Sequence, residues 1–78
     1  MHYVYILESA DHEHWYVGVT DNLERRITEY NNAKSPHTSK IAQWRLKTYT
    51  AFPDRVRAEE FEHYLKSHSG RAFTKKHL

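Results

Sequence analysis

The residues whose types could do chemistry are two tyrosine clusters, an arginine and a glutamate. Tyr3-Val4-Tyr5 is followed, after ten residues, by Tyr16-Val17-Gly18. Arg26 stands eight residues after Gly18, and Glu62 closes the run Ala58-Glu59-Glu60-Phe61-Glu62. The tyrosines either fill a core or face a substrate. Strand propensity alone favours the core. Glycine beside them fits a place where another group approaches closely.

Helical geometry singles out two of these residues. Successive residues step by about 100° around a helix axis. In the run from Leu23, the inward stripe is Leu23, Ile27 and Tyr30. Arg26 lies within about 60° of it, and Arg25 points roughly the opposite way. Later, Ala58, Phe61 and Leu65 form an apolar stripe. Glu62 falls about 40° from Ala58, whereas Glu60 is nearly opposite. A carboxylate on an apolar border is costly unless paired. Glu62 therefore calls for a partner: an arginine, a metal ion, or both.

The elements that position these groups follow from periodicity. Residues 2–8 alternate and are rich in Tyr, Val and Ile, as a strand requires. Residues 15–20 form a second strand, and the polar link Ala10–His14 predicts an antiparallel hairpin. In the first strand Tyr3, Tyr5 and Leu7 share one face while Val4 and Ile6 share the other. Thr20, Asp21 and Asn22 offer caps for the helix LERRITEYNN. Asn31–Ser39 reads as a loop, with a short helix over 38–43. Residues 44–51 alternate again as a third strand. Asp54 caps a helix running to about Ser67, Ser69-Gly70 stops it, and a short basic helix closes the chain. The order ββα(α)βα predicts an α+β fold, a small antiparallel sheet with packed helices in one domain over 1–78.

The 78 residues leave room for one small core. Cysteine is absent, which excludes disulfides and thiolate metal sites and suits a reducing cytoplasm. No apolar run approaches the roughly 20 residues of a membrane span. Twelve Lys and Arg against ten acids give a formal charge of +2, too small to identify a partner by itself. Its placement says more: Lys66, Arg71, Lys75 and Lys76 follow Leu65 with no acid among them. Such a tail can meet phosphate or simply be a solvated helix end. His12-Glu13-His14 has the look of a metal clip, but falls in the hairpin turn and reads as solvated. Trp15 and Trp44 read as core residues.

With these residues in place, the chain resembles the GIY-YIG nuclease domain, and most closely its small single-domain bacterial members. The resemblance rests on the two tyrosine motifs, on Thr20-Asp21-Asn22-Leu23-Glu24-Arg25-Arg26-Ile27, on Ala58 to Glu62, on Tyr64-Leu65-Lys66 and on Ser69-Gly70-Arg71-Ala72-Phe73. It covers nearly the whole chain. It implies a three-stranded antiparallel sheet flanked by helices and an endonuclease that hydrolyses phosphodiester bonds in DNA with Mg2+ or Mn2+. It implies Tyr5, Tyr16, Arg26 and Glu62 as catalytic residues, with Glu62 on the metal. Two departures stand out: Tyr3 replaces the first motif glycine, and Tyr30 occupies a position where many members carry histidine. A phenol there can hydrogen-bond a phosphate oxygen but cannot act as an imidazolium.

On that resemblance, Arg26 would clamp non-bridging oxygens and Tyr5 or Tyr16 would take a proton from the attacking water, the division between them left open. Gly18 would leave space for the phosphate. Tyr30, His37, Lys75 and Lys76 are further candidate substrate contacts. The expected partner is DNA, structured or branched, with a second copy of the chain or a targeting protein to supply specificity. Two rival readings share the scaffold: a non-catalytic nucleic-acid-binding module and a protein-interaction domain.

Overall fold

The computed structural model describes residues 1–32 and 43–78. The loop reaching Ser39, nearly all of the short helix expected over 38–43, and the candidate contact His37 lie outside the described residues. The elements are β1 (His2–Ser9), β2 (Trp15–Thr20), α1 (Leu23–Asn31), β3 (Trp44–Phe52), α2 (Arg55–Lys66) and α3 (His68–His77). The three strands form one antiparallel sheet in the order β2-β1-β3, so β1 is central and β2 and β3 are edges. This is the α+β architecture that periodicity predicts.

Strand alternation divides the interior into two layers. Val4 and Ile6 point to one face and pack with Ala58 and Leu65 of α2, joined by the partly buried Val17, Val19, Phe52 and Phe61. Tyr5 and Leu7 point to the other face and pack with Trp44, with Leu23, Ile27 and Tyr30 of α1, and with Leu46. Each fully buried aliphatic side chain contributes roughly 1.5–3 kcal/mol of transfer free energy. A shift in the β1–β3 register between Ile6 and Leu7 leaves Lys47 without a cross-strand partner. Its Nζ lies 5.5 Å from the centre of the Trp15 ring and 3.8 Å from Glu8.

Local chemistry starts each helix. Asn22 accepts from the Arg25 backbone N–H at 3.1 Å, and Thr20 Oγ1 holds the Asn22 N–H at 3.1 Å. Asp54 accepts from the Val56 N–H at 2.9 Å. Caps of this kind contribute about 1 kcal/mol each.

Two expectations are corrected here. Gly70 does not stop the long helix; it sits in the first turn of α3. The break is at Ser67, whose ψ of 166° ends α2 and whose side chain caps α3 by accepting from Gly70 N–H at 3.1 Å. Glycine is required there because the two helices cross closely: a Cβ would lie 2.6 Å from the Leu65 Cα. Trp15 is not a core residue either. It is exposed at the edge strand, and its indole N–H donates to Glu8 Oε2 at 3.3 Å. Trp44 is buried as expected.

Candidate active site

Four of the expected side chains converge on the α1 side of the sheet. Tyr5 from β1 is only 1% exposed, whereas Tyr16 on the edge strand β2 is 37% exposed. Tyr30, from the last turn of α1, fills the space between them and β3. Its ring centre is 4.9 Å from that of Tyr16 and 6.1 Å from that of Trp44. Arg26 lies one turn earlier on the same helix.

Gly18 is the β2 residue directly opposite Tyr5 in the antiparallel register. A Cβ at Gly18 would fall 2.6 Å from Tyr5 Cζ. The room created by glycine is therefore taken up by the phenol of Tyr5, and not left vacant for a phosphate. The β2 glycine positions the β1 tyrosine.

These groups perturb one another. Burial pushes the Tyr5 phenol above its ordinary value, against the opposing pull of the Tyr30 hydroxyl and the Arg26 guanidinium. Burial likewise raises the Tyr30 phenol, and Tyr16 and Tyr5 add to the effect. Arg26 is held even more firmly protonated, chiefly by the neighbouring Tyr5 and also by Glu29. Its Nη1 lies 3.5 Å from Glu29 Oε2, a half-exposed pair one turn along the helix. Its Nε is buried and has no hydrogen-bond partner among the described residues. A buried N–H left unpaired costs about 1–3 kcal/mol. An oxyanion seated against the guanidinium would satisfy it.

Glu62 comes from the other layer. Its side chain is 18% exposed, and Lys66 Nζ approaches at 3.3 Å. Its charge partner is that lysine, not Arg26, whose carboxylate is Glu29. The helix still aims Glu62 usefully. Phe61 packs on Phe52 of β3 with ring centres 5.6 Å apart, which fixes the β3 flank of α2. Glu62, about 100° further round, lies on the opposite flank. The long helix packs against Val17 and Val19 of β2, the edge strand that carries Tyr16. The phenols with Arg26 and the carboxylate are thus carried on opposite faces of the sheet. Lys75 and Lys76 lie elsewhere, exposed in the last turn of α3. His12, Glu13 and His14 are exposed in the turn, where His12 takes a left-handed conformation with φ 63°. Among the described residues no three His, Cys, Asp or Glu side chains form a cluster able to hold a metal ion.

Two partners escaped sequence reasoning. Glu29 follows Arg26 by three residues, a helical neighbour spacing that signals the pair. Glu8 receives Trp15, His12 at 3.2 Å, and Arg45 and Lys47 at 3.8 Å. Only the cross-strand register, which places Glu8 opposite both Trp15 and Arg45, reveals that hub.

The fold, the Tyr5 phenol opposite Gly18 with Tyr16 beside it, and the arginine one turn into the first helix together define a class. The chain belongs to the GIY-YIG family: the model of the GIY-YIG catalytic domain matches residues 1–76. It is 38% identical to the UPF0213 protein BH0048 of Halalkalibacterium halodurans over 71 residues, which are 90% of this chain and 74% of that protein. It is 36% identical to the UPF0213 protein HQ_3675A of Haloquadratum walsbyi, covering 87% of this chain and 76% of the relative. The solution NMR structure of the UPF0213 protein BH0048 from Bacillus halodurans superposes with a TM-score of 0.57 at 35% identity, over 95% of this chain and 79% of that one. No helix among the described residues is long and apolar enough to cross a membrane.

Proposed function

We propose that this protein is a divalent-cation-dependent endonuclease that hydrolyses phosphodiester bonds in structured DNA, such as flaps or branches formed in repair and recombination in the cytoplasm. The observation that carries the reading is the buried Nε of Arg26, unpartnered among the described residues and set beside the Tyr5 and Tyr30 phenols. Arginine presents a planar fork that matches phosphate oxygens, and its charge persists at every working pH. Seating a phosphate there would pair the free N–H and neutralise charge that builds on the non-bridging oxygens.

Exposure divides the work between the tyrosines. Tyr5 is sealed from water, and its phenol stays protonated because burial raises it. It serves as a fixed donor and as packing for Gly18. Tyr16 is the phenol that water reaches, and it is the general base of the scheme. Tyr30 packs against it and fixes its ring. Glu62 fits a cation held jointly by one carboxylate, waters and substrate oxygens, the donor set that magnesium accepts. When bound, such an ion supplies charge stabilisation at the leaving oxygen. Among the described residues, the ion pair to displace is with Lys66, a half-exposed surface lysine.

The test is cleavage of duplex, single-stranded, flapped and four-way-branched DNA with Mg2+ or Mn2+, with chelator, Arg26→Ala and Glu62→Gln as controls. Metal-dependent cutting that is lost in both variants is expected. Salt-sensitive binding without cutting in any substrate would replace the enzyme with a binding module.

A further inference from the structure

Aromatic side chains run in a continuous row across the face of α2 that points away from Glu62. Phe52 of β3 meets Phe61 at 5.6 Å, Phe61 meets Tyr64 at 6.3 Å, Tyr64 meets Phe73 of α3 at 6.2 Å, and Phe73 meets His77 at 5.0 Å between ring centres. The inner members are half-buried core. The outer members are not: Tyr64 is 42% and Phe73 37% exposed, and His77 is exposed. Large rings left in water at the end of a row need a reason that core packing does not give.

Cations outnumber acid around them: Glu60, four residues before Tyr64, shares the row, and the remaining charges are positive. No acid follows Glu62 in the sequence. Lys76 lies three residues after Phe73 and borders its ring, while Arg71 and Lys75, four apart, line the far flank of α3. On α2, Arg57 shares the row of Phe61 and Tyr64. Planar rings interleaved with cations are what an unpaired nucleic-acid strand requires: each nucleotide offers a π-face to a ring and a phosphate to a cation. A duplex hides its base faces in the stack. An acidic peptide would neutralise the lysines and leave the rings uncovered.

From this juxtaposition we infer that the Tyr64–Phe73–His77 face, with Arg57 and Lys76, is a second nucleic-acid contact that stacks the bases of a single-stranded DNA segment. It rests on the nuclease reading for the substrate class, and it deepens that reading. The helix turns about 200° between Glu62 and Tyr64, so this face lies away from the sheet edge where the scissile phosphate is placed. A substrate with an unpaired strand beside its cutting point would engage both faces. The crossing at Gly70 holds the two helices close enough to form one continuous row.

The experiment is binding of labelled oligo-dT and of a matched duplex by fluorescence anisotropy, without metal, in the Glu62→Gln background. Binding is thereby read independently of cleavage. The variants are Tyr64→Leu with Phe73→Leu, which keeps apolar volume and removes stacking, and Arg57→Gln with Lys76→Gln. The leucine pair is expected to weaken oligo-dT binding about tenfold or more and to leave duplex affinity and the salt slope unchanged. The glutamine pair is expected to lower the salt slope by roughly 1.4 on the single strand. Circular dichroism melts confirm that each variant is folded, with Phe73→Tyr as the conservative rescue that restores affinity. Unchanged oligo-dT affinity in the leucine pair, an equal loss on duplex, or a shift from dimer to monomer in place of a binding defect would overturn the inference. Any of those results would leave cleavage at the sheet edge untouched, and loss of cleavage alone would leave this face untouched.

Discussion

The two faces of the central strand carry alternate residues of one eight-residue sequence, yet they do different things. Val4 and Ile6, on the α2 side, are satisfied by contact with Ala58 and Leu65. Tyr5, on the α1 side, is equally buried, but its phenol is raised by that burial and coupled to Tyr30 and Arg26. The aliphatic layer holds the sheet to its long helix. The phenolic layer keeps polar groups dry beside an arginine whose Nε has no partner among the described residues. Burial is the same in both; only the second sets polar groups beside a cation.

The comparison breaks first in activity. Arg26→Ala should lower the rate of DNA cleavage by about 10²–10³, the usual loss when a charge-stabilising donor is removed, with thermal stability unchanged or slightly raised because a buried unpaired N–H is removed. Ile6→Val on the other face should do the reverse. It should cost about 0.5–1.5 kcal/mol of stability and leave the cleavage rate per folded molecule intact. Denaturant titration and single-turnover kinetics on the two variants separate the layers.

Gly18→Ala tests how the phenolic layer is built. The new Cβ runs into the Tyr5 ring, so stability should fall by about 1–3 kcal/mol, as overpacking does. Tyr5→Leu should recover part of that loss in a double-mutant cycle. Strict additivity would mean that glycine is there for another reason.

The smallest effects are in pH. Tyr5 and Tyr30 are raised in the folded chain, so their contribution is complete below the ordinary phenol value of 10.0 and is lost as pH rises through the folded values. Alkaline melting should therefore set in above that value and move in Tyr5→Phe. The hairpin end behaves oppositely. For Glu8, burial works upward, but hydrogen bonds from His12 and Trp15 and the charge of Lys47 outweigh it and hold the carboxyl below 4.5. For Asp11, bonds from Ser9 and the Glu13 backbone hold it below 3.8. Their contribution is present above those values and lost as pH falls through the folded ones. Glu8→Gln should flatten the acid side of the melting curve and leave the alkaline side alone.

Much of this was legible in the chain. Period-two alternation at Tyr3 to Leu7 separates the two layers, and the 100° step places Arg26 at the border and Arg25 in solvent. Those readings hold because strand and helix periods are local properties. What the sequence hid depends on distant approach. The partner of Gly18 is a ring from another strand, and the reason for Gly70 is a helix crossing, where a rule about helix stops misleads. Trp15 reads as core from its size alone, and only the edge position of β2 with the Glu8 hub explains its exposure.

The central claim is that one phosphate site spans the free edge of β2, with Tyr16 and Arg26 on one side and Glu62 on the other. Paramagnetic broadening by Mn2+ in the NMR spectrum, recorded with a non-cleavable phosphorothioate oligonucleotide bound, tests it directly. The account predicts broadening at Glu62 and at the backbone amides of Tyr16 to Gly18, dependent on the oligonucleotide and lost in Glu62→Gln. Broadening confined to the turn at His12 to His14, or unchanged in Glu62→Gln, would contradict it.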